Sequence, residues 1–329
     1  MRVPLVSIAL LTLLLMSLSL PDGRPATAHE TADLSSSFVF LSEQKTLSDD
    51  PYLKQQWALE HINWSQATTI TDGQQVIVAV FDTGIDNDHE DLTNRVVMNM
   101  NFTDSPTIED LHGHGTHVAG IIAAQANNGI GIAGMALQVK LMNVKVANDN
   151  GACRAADITK GIYWAVDNGA MVINISLELQ KFSEELEQAI DYAWNKGVIV
   201  IAAAGNDASN MPVYPAFIKN CIAVGAVGQN DELVPLSNYG DWVDVAAPGL
   251  GIYTTAPDNH YVCVTGTSFA TAYVSGLAAI LARIMIDSND DGRINDEVRR
   301  AIEEGCRKTV MDGSYYGVID IARSLSIVD

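Results

Sequence analysis

Residues 79–86 read AVFDTGID and place an aspartate at the end of an apolar run. Asp82 ends a run of β-branched and other apolar residues, so we predict a buried strand over 74–82 with the carboxylate at its carboxyl end. Four similar runs follow, at 139–146, 171–177, 198–205 and 221–227. A polar group directly after such a strand lies where α/β sheets collect their functional side chains.

Segments with helical periodicity separate these strands. The pattern predicts helices over 114–126, 154–169 and 183–197, and the last two segments end in glycine, as helices often do. Strands that alternate with helices predict an α/β fold, with a mostly parallel central sheet flanked by helices on both faces.

The first 28 residues have the pattern of a secretory signal peptide. Arg2 precedes an apolar run over 3–20, and the small residues Ala-Thr-Ala follow at 26–28. An uncleaved membrane anchor is the alternative, because the run is near the lower length limit for spanning a bilayer. We predict cleavage, and therefore a secreted protein.

The rest of the chain is predicted to hold one folded domain. Residues 29–49 are too few to fold alone, so we expect a tether or a remnant pro-segment there. The chain has 329 residues and a hydrophobic fraction of 48%, which supply a sizeable core. No repeat or composition break interrupts 50–329, which favours one domain over two.

Charge and cysteine content exclude several classes of function. Without residues 1–28, 17 basic and 39 acidic side chains remain, a formal charge of −22, so we expect neither nucleic acid nor an anionic membrane as a partner. The four cysteines lack C-x-x-C spacing, which argues against zinc ribbons and thioredoxin-type chemistry. Disulfide bridges and buried free thiols both remain open.

Asp82 alone does not identify an activity. An aspartic protease needs a second Asp-Thr-Gly or Asp-Ser-Gly, and this chain has none, so only a homodimer could supply it. Residues 112–120, HGHGTHVAG, first suggest zinc bound by His112, His114 and His117 with Glu109 or Asp110 nearby. A histidine between glycines at a helix start also suits a general base.

A serine in a third stretch completes the set. Gly266, Thr267 and Ser268 precede a long apolar helix, where Ser268 is either a helix cap or a nucleophile whose backbone N–H faces a developing oxyanion. The three stretches occur in the order Asp, His, Ser, which is one of the known orders for Ser-His-Asp catalysis.

Together these stretches resemble the three signatures of the subtilisin-like serine proteases, the subtilases. The matching segments are VAVFDTGI, HGTHVAG and GTSFATAYVSG, and DDPY with NYGDWVDVAAPG resembles the thermitase-like branch. The resemblance covers 50 to about 310. It implies a three-layer subtilisin-like fold and a secreted, monomeric serine endopeptidase that acts on polypeptide substrates through an acyl-enzyme, with 50–329 as its catalytic domain.

The resemblance also implies a role for each matching residue. Asp82 would orient His114, and His114 would take the proton from the nucleophile Ser268. Asn206, in the stretch AAAGND, would supply the second oxyanion donor.

By the same resemblance, a substrate strand would lie between segments 151–153 and 176–178, with a primary pocket at 203–206. The implied substrate-binding residues are Gly151, Ala152, Ser176, Leu177, Glu178, Ala203 and Gly205. Glu178 and Cys153 depart from the small residues usual in the family. Glu178 with Asp207 would favour basic substrate side chains, or Glu178 would point to solvent, because a strand residue can face either side.

The stretch GIGIAG at 129–134 fits a dinucleotide fingerprint but follows a helix instead of a strand, which excludes that interpretation. The resemblance implies a structural calcium ion here. Its implied ligands are the side chains of Asp50, Asp91 and Asn128 and the carbonyls of Gln125, Ile130 and Ile132. A second acidic loop at 287–297 is interpreted as a polar turn, because Val298 stands where a calcium loop needs an acidic ligand.

One rival interpretation is a protein that keeps the fold but turns over slowly. Glu178, the alanine at 272 in place of the usual proline, and the short segment before residue 50 are also compatible with a peptide-binding scaffold.

Overall fold

The computed structural model describes residues 49–67, 73–311 and 314–327. The predicted signal peptide, and the predicted tether up to residue 48, lie outside the described residues. All described residues belong to one compact unit.

A large, mostly parallel sheet forms the centre of the described structure. Its nine strands are ordered β10-β11-β7-β6-β5-β4-β1-β3-β2, and only the β10–β11 pair is antiparallel. The strands are β1 Ile77–Asp82, β2 Val96–Asn101, β3 Lys140–Lys145, β4 Val172–Ile175, β5 Ile199–Ala203, β6 Cys221–Val227, β7 Val245–Pro248, β10 Arg307–Met311 and β11 Ser314–Val318. Strands β8 (Ile252–Ala256) and β9 (His260–Val264) form a separate antiparallel hairpin.

Helices cover both faces of the sheet. The α-helices of the described ranges are α1 Trp57–His61, α2 Trp64–Ala67, α3 His114–Ala123, α4 Ala155–Asp167, α5 Glu184–Asn195, α6 Thr267–Ala282, α7 Asn295–Gly305 and α8 Ile321–Leu325. Short 3₁₀ helices span Leu53–Gln55 and Glu90–Leu92. The fold is α/β with a helix-flanked parallel sheet, as the sequence predicts.

The alternation of side chains along each strand creates two cores. In β1, Val78 and Val80 pack into the core that contains α3 and α6, whereas Ala79 and Phe81 pack into the core that contains α4 and α5. Successive residues of a strand point to opposite faces, so a strand that is buried on both faces must be apolar throughout. This explains why β1, β4, β5 and β6 are continuous apolar runs.

The carboxyl ends of the central strands share one edge of the sheet. Asp82 is the last residue of β1, and β1 pairs with β4, which pairs with β5. Ser176 therefore follows β4, and Asn206 follows β5 by three residues, at the edge where Asp82 ends its strand.

The structure settles the cysteine alternatives. Cys153, Cys221, Cys263 and Cys306 are all free thiols. The described helices are all too short or too polar to cross a membrane.

Candidate active site

The first contact of the site joins the end of β1 to the start of α3. His114 Nδ1 lies 2.7 Å from Asp82 Oδ1, and Asp82 is 1% exposed. A carboxylate only accepts hydrogen bonds, so Nδ1 carries a proton, and in the neutral imidazole Nε2 keeps a free lone pair. The backbone N–H of Thr83 donates to the same Asp82 oxygen at 2.8 Å, which fixes the carboxylate.

Two glycines allow α3 to begin so close to this strand end. Gly113 caps the helix with φ +99°, a left-handed conformation that glycine adopts without strain. A Cβ at Gly115 would collide with the carbonyl oxygen of Gly84 and would lie 2.9 Å from the Asp82 Cβ. The two glycines are thus needed to bring the His114 ring to Asp82.

Asp110 organises the first turn of the same helix. Its Oδ1 accepts hydrogen bonds from the backbone N–H groups of Gly113 (2.7 Å) and His112 (3.2 Å). Its Oδ2 accepts from the N–H (2.8 Å) and the hydroxyl (2.7 Å) of Thr116. The hydroxyl of Thr83 also donates to Oδ1 at 2.8 Å. Sequence reasoning treated Asp110 only as a zinc ligand and missed this role, although an acidic residue just before a helix is a capping signal.

Opposing effects act on the pKa of His114. Burial lowers this pKa, but the charge and hydrogen bond of Asp82, together with the charge of Asp110, outweigh burial and raise the pKa above its ordinary value. In contrast, burial lowers the pKa of His117, whose Nδ1 lies 2.7 Å from the carbonyl oxygen of Thr255. Of these two histidines, His114 is the one whose surroundings favour a positive charge.

Ser268 lies at the second position of α6 and faces the end of β4. Its hydroxyl donates to the Ser176 carbonyl at 3.2 Å, and the Ser176 hydroxyl donates to the Ser268 carbonyl at 3.0 Å. The next residue, Phe269, places its ring centroid 5.6 Å from that of His114. Ser268 is thus held at the same sheet edge as the Asp82–His114 pair, although its hydroxyl hydrogen points to Ser176 in this structure.

The Asn206 side chain is oriented by Thr267. The Oδ1 atom of Asn206 accepts hydrogen bonds from the Thr267 N–H (2.9 Å) and hydroxyl (3.1 Å). The Thr267 hydroxyl also accepts from the Gly205 N–H at 3.2 Å. No hydrogen bond within the described residues uses the Nδ2 group, which leaves it available as a donor. Sequence reasoning missed Thr267, because nothing in a single sequence links residues 61 positions apart.

The predicted substrate-binding segments lie at or beyond the carboxyl ends of β3, β4 and β5. Cys153 forms an isolated antiparallel bridge with Ala147. Gly151 lies in the loop between these two residues and has a φ of +78°. Ser176 and Ala203 are buried, and Leu177 and Glu178 are half-buried. The alternative in which Glu178 simply points to solvent is wrong, since its Oε2 atom is buried against Gly205.

The zinc hypothesis finds no support in the described residues. No group of three or more His, Cys, Asp or Glu side chains in the described ranges has a metal-binding arrangement. His114 and His117 direct their Nδ1 atoms to Asp82 and Thr255, and the ring centroids of His112 and His114 are 6.4 Å apart.

Two of the residues implied as calcium ligands converge on the loop after α3. Asp50 and Asp91 are 5% and 0% exposed. Asp50 accepts hydrogen bonds from the N–H groups of Asn127 (3.0 Å) and Asn128 (3.2 Å), and Asp91 accepts from Asn128 Nδ2 (2.9 Å) and Ile132 N–H (2.8 Å). Burial raises the pKa of Asp91, and the charge of Asp50 adds to the increase. Two buried, mutually repelling carboxylates fit an oxygen-bound cation such as calcium.

The 287–297 loop is a polar turn held by its own side chains. Gly292 N–H donates to Asp287 at 2.7 Å, and α7 begins at Asn295. Ser288 donates to Glu297 at 2.8 Å. These contacts agree with the turn predicted from the sequence.

Comparisons with known proteins agree with this arrangement. The family model described as "Subtilase family" (Peptidase_S8) matches residues 73–304. The chain is 44% identical over 273 residues to a thermophilic serine proteinase of Bacillus sp. (strain AK1), an alignment that covers 82% of this chain and 66% of that protein. It is 41% identical over 270 residues to thermitase of Thermoactinomyces vulgaris, covering 82% and 94%. It is also 43% identical over 210 residues to alkaline elastase YaB of Bacillus sp. (strain YaB), covering 64% and 54%.

The family match spans more than half of the chain, and thermitase is aligned along nearly its whole length. The α/β sheet and the signatures around Asp82, His114 and Ser268 point the same way. The chain therefore belongs to the subtilase family, as a thermitase-like serine endopeptidase.

Proposed function

We propose that this protein is a secreted subtilisin-like endopeptidase that cleaves polypeptides through an acyl-enzyme on Ser268. The observation that carries the proposal is the 2.7 Å contact between Asp82 and His114 Nδ1 at the sheet edge that also holds Ser268. This contact leaves Nε2 as the proton acceptor, because the proton of the imidazole is on Nδ1.

The proposed first half-reaction forms an ester. The Ser268 hydroxyl turns from Ser176 toward His114, whose Nε2 accepts its proton while Oγ attacks the substrate carbonyl carbon. Asp82 stabilises the imidazolium that results. The imidazolium then gives its proton to the leaving amine, and the peptide C–N bond breaks.

Negative charge develops on the carbonyl oxygen in both half-reactions, and stabilising this charge is usually the largest single contribution to catalysis. The backbone N–H of Ser268, near the start of α6, and the Nδ2 group of Asn206 are the donors that would stabilise it. Thr267 holds the Asn206 amide in place, so the donor needs no reorganisation during the reaction. Water then attacks the acyl-enzyme, with His114 as base, and releases the acid product.

The test of this proposal is peptide hydrolysis by variants of Ser268 and Asn206. Ser268→Ala should abolish turnover of a fluorogenic peptide. Asn206→Ala should lower kcat by roughly 100- to 1000-fold with little change in KM, a loss known from removal of the same kind of donor in a subtilisin. An unchanged kcat in Asn206→Ala would refute the assignment of Asn206 as an oxyanion donor. A fully folded wild type without turnover would favour the peptide-binding scaffold.

We also propose that a structural calcium ion is held at Asp50, Asp91 and Asn128 and by the carbonyls of Gln125, Ile130 and Ile132. The burial of the two carboxylates and the charge of Asp50 beside Asp91 support this site. When bound, calcium would neutralise both carboxylates and tie residue 50 to the loop after α3. Its removal would loosen this loop without touching the reacting groups.

Export rests on the sequence pattern of residues 1–28. We propose cleavage after Ala28, release of a monomer, and no binding to membranes or nucleic acid. Mass spectrometry of the protein recovered from culture medium tests the cleavage, since the mature chain would begin at His29. Retention of residues 1–28 in a membrane fraction would support the anchor instead.

A further inference from the structure

The Glu178 side chain lies beside Gly205, the residue before Asn206. Glu178 lies two residues after Ser176, whose carbonyl oxygen accepts the Ser268 hydroxyl. The next residue, Leu179, forms an antiparallel bridge with Tyr214, with hydrogen bonds of 2.7 and 2.9 Å between the two backbones. This bridge holds the backbone on the carboxyl side of Glu178 in place.

The carboxylate of Glu178 lies against Gly205. A Cβ built on Gly205 would collide with Glu178 Oε2, so that oxygen lies directly against the residue before Asn206. Oε2 is buried and has no hydrogen-bond partner among the described residues.

Asp207 adds a second negative charge at the same place. Burial raises the pKa of Glu178, and the charge of Asp207 raises it further. Within the part of the chain that the structure describes, neither carboxylate forms an ion pair with a Lys, Arg or His side chain. The Nε2 group of Gln180 lies 3.5 Å from Glu178 Oε1 and 3.5 Å from Asp207 Oδ2, so a nitrogen donor fits between the two carboxylates.

This arrangement costs stability, because a partly buried carboxylate beside a like charge is unfavourable unless a cation offsets it. Among the described residues, the side chain that contacts both carboxylates is Gln180, at the long distance of 3.5 Å. A substrate would supply the missing charge. Its scissile carbonyl would lie between Ser268 and Asn206, so the side chain of the residue that bears this carbonyl falls beside Gly205, Glu178 and Asp207.

We propose that Glu178 and Asp207 bind the Lys or Arg side chain of the substrate residue on the amino side of the scissile bond. The ammonium or guanidinium group replaces Gln180 Nε2 and donates to both carboxylates. This inference rests on the proposed function, since it names the substrate class of the same site. Glu178 and Asp207 are specificity-determining residues and take no part in bond breaking.

The test uses fluorogenic peptides that differ only in this one residue, which is Lys, Arg, Met or Glu. The wild type should hydrolyse the Lys and Arg peptides with a kcat/KM about tenfold or more above the Met peptide, the usual scale for hydrogen bonds to a charged group. The Glu peptide should be the poorest substrate. Glu178→Gln should reduce the Lys-to-Met ratio by about tenfold, mainly through KM, and raise the Glu peptide relative to Met.

Glu304→Gln is the matched control, because it removes one carboxylate from an exposed site on α7 and should leave the Lys-to-Met ratio unchanged. Fluorophosphonate labelling of Ser268 is measured on the same samples. A protein that labels but prefers Met, or whose ratio is the same in Glu178→Gln and wild type, overturns this inference alone. A protein that neither labels nor hydrolyses any peptide overturns the proposed function.

Discussion

Substitution of Asp110 by Asn tests whether the start of α3 is organised by a buried carboxylate. Asp110 is 4% exposed and accepts five hydrogen bonds, three of them from backbone N–H groups. Asn is nearly isosteric but keeps one acceptor oxygen. The amide will place that oxygen where Oδ1 was, because three donors converge there. Its NH₂ group then faces the Thr116 N–H.

The expected loss follows from these contacts. One buried N–H without an acceptor costs about 1–3 kcal/mol. The three remaining bonds lose their charge-assisted character, which roughly halves their strength. We therefore expect Asp110→Asn to lower the free energy of unfolding by about 2–4 kcal/mol. Asp104→Asn is the control. Asp104 belongs to the loop before α3, and its side chain is 80% exposed in an ion pair with Arg154, so it should cost less than about 1 kcal/mol.

Urea denaturation at saturating calcium measures these differences, with both substitutions made in a Ser268→Ala background to prevent autolysis. A second readout uses the active protein. The charge of Asp110 contributes to the raised pKa of His114, so its removal lowers that pKa. His114 must be neutral to accept a proton, and the acid limb of kcat/KM should therefore move to lower pH in Asp110→Asn but not in Asp104→Asn. Equal stability losses in the two variants, with no shift of the acid limb, would refute the reasoning.

Three further predictions follow from other contacts. Chelation of calcium should lower the melting temperature of the wild type in a thermal scan, because calcium at 100-fold above its Kd contributes about 2.7 kcal/mol of stability. Asp91→Asn should already be unstable, and its melting temperature should respond little to the chelator. Asp82→Asn should reduce kcat by about 10⁴-fold in a peptide assay with the fold intact by circular dichroism, because His114 loses the acceptor that sets its tautomer. Gly120→Ala should destabilise the protein by about 1–3 kcal/mol in urea titration, because the added methyl would collide with the Thr255 hydroxyl on β8.

The sequence was sufficient to predict the central strands. Strands β1, β4, β5 and β6 lie inside the sheet and are apolar on both faces, so their composition differs sharply from that of the surrounding loops. The position of Asp82 at the end of β1 followed directly from this contrast. The same logic failed for β2, where Val96–Asn101 alternates between half-buried and exposed residues and contains two asparagines.

The β8–β9 hairpin was also missed, although the sequence carries a turn signal. Pro257 is followed by Asp258 and Asn259, whose φ angles are +62° and +59°, and these residue types are the usual ones for such turns. Recognition of that turn would have identified the two short strands that flank it.

The features that sequence reasoning missed in the site depend on contacts between distant parts of the chain. Thr267 orients Asn206 across 61 positions, and Glu178 meets Gly205 across 27. The direction of the Glu178 side chain is fixed by the close approach of two strand ends, and a strand pattern leaves both directions open. Asp110 was visible in the sequence, but its role depends on the donors that α3 and Thr83 direct at it.

Fluorophosphonate labelling followed by intact mass measurement tests the central claim most directly. The mature protein is labelled with calcium present, beside Ser268→Ala and His114→Ala. The account predicts one adduct on the wild type, none on Ser268→Ala, and a greatly slowed reaction of His114→Ala, because Ser268 is a nucleophile only when His114 accepts its proton. A folded, calcium-loaded wild type that acquires no adduct would contradict the account. Equal labelling of Ser268→Ala and the wild type would contradict it as well.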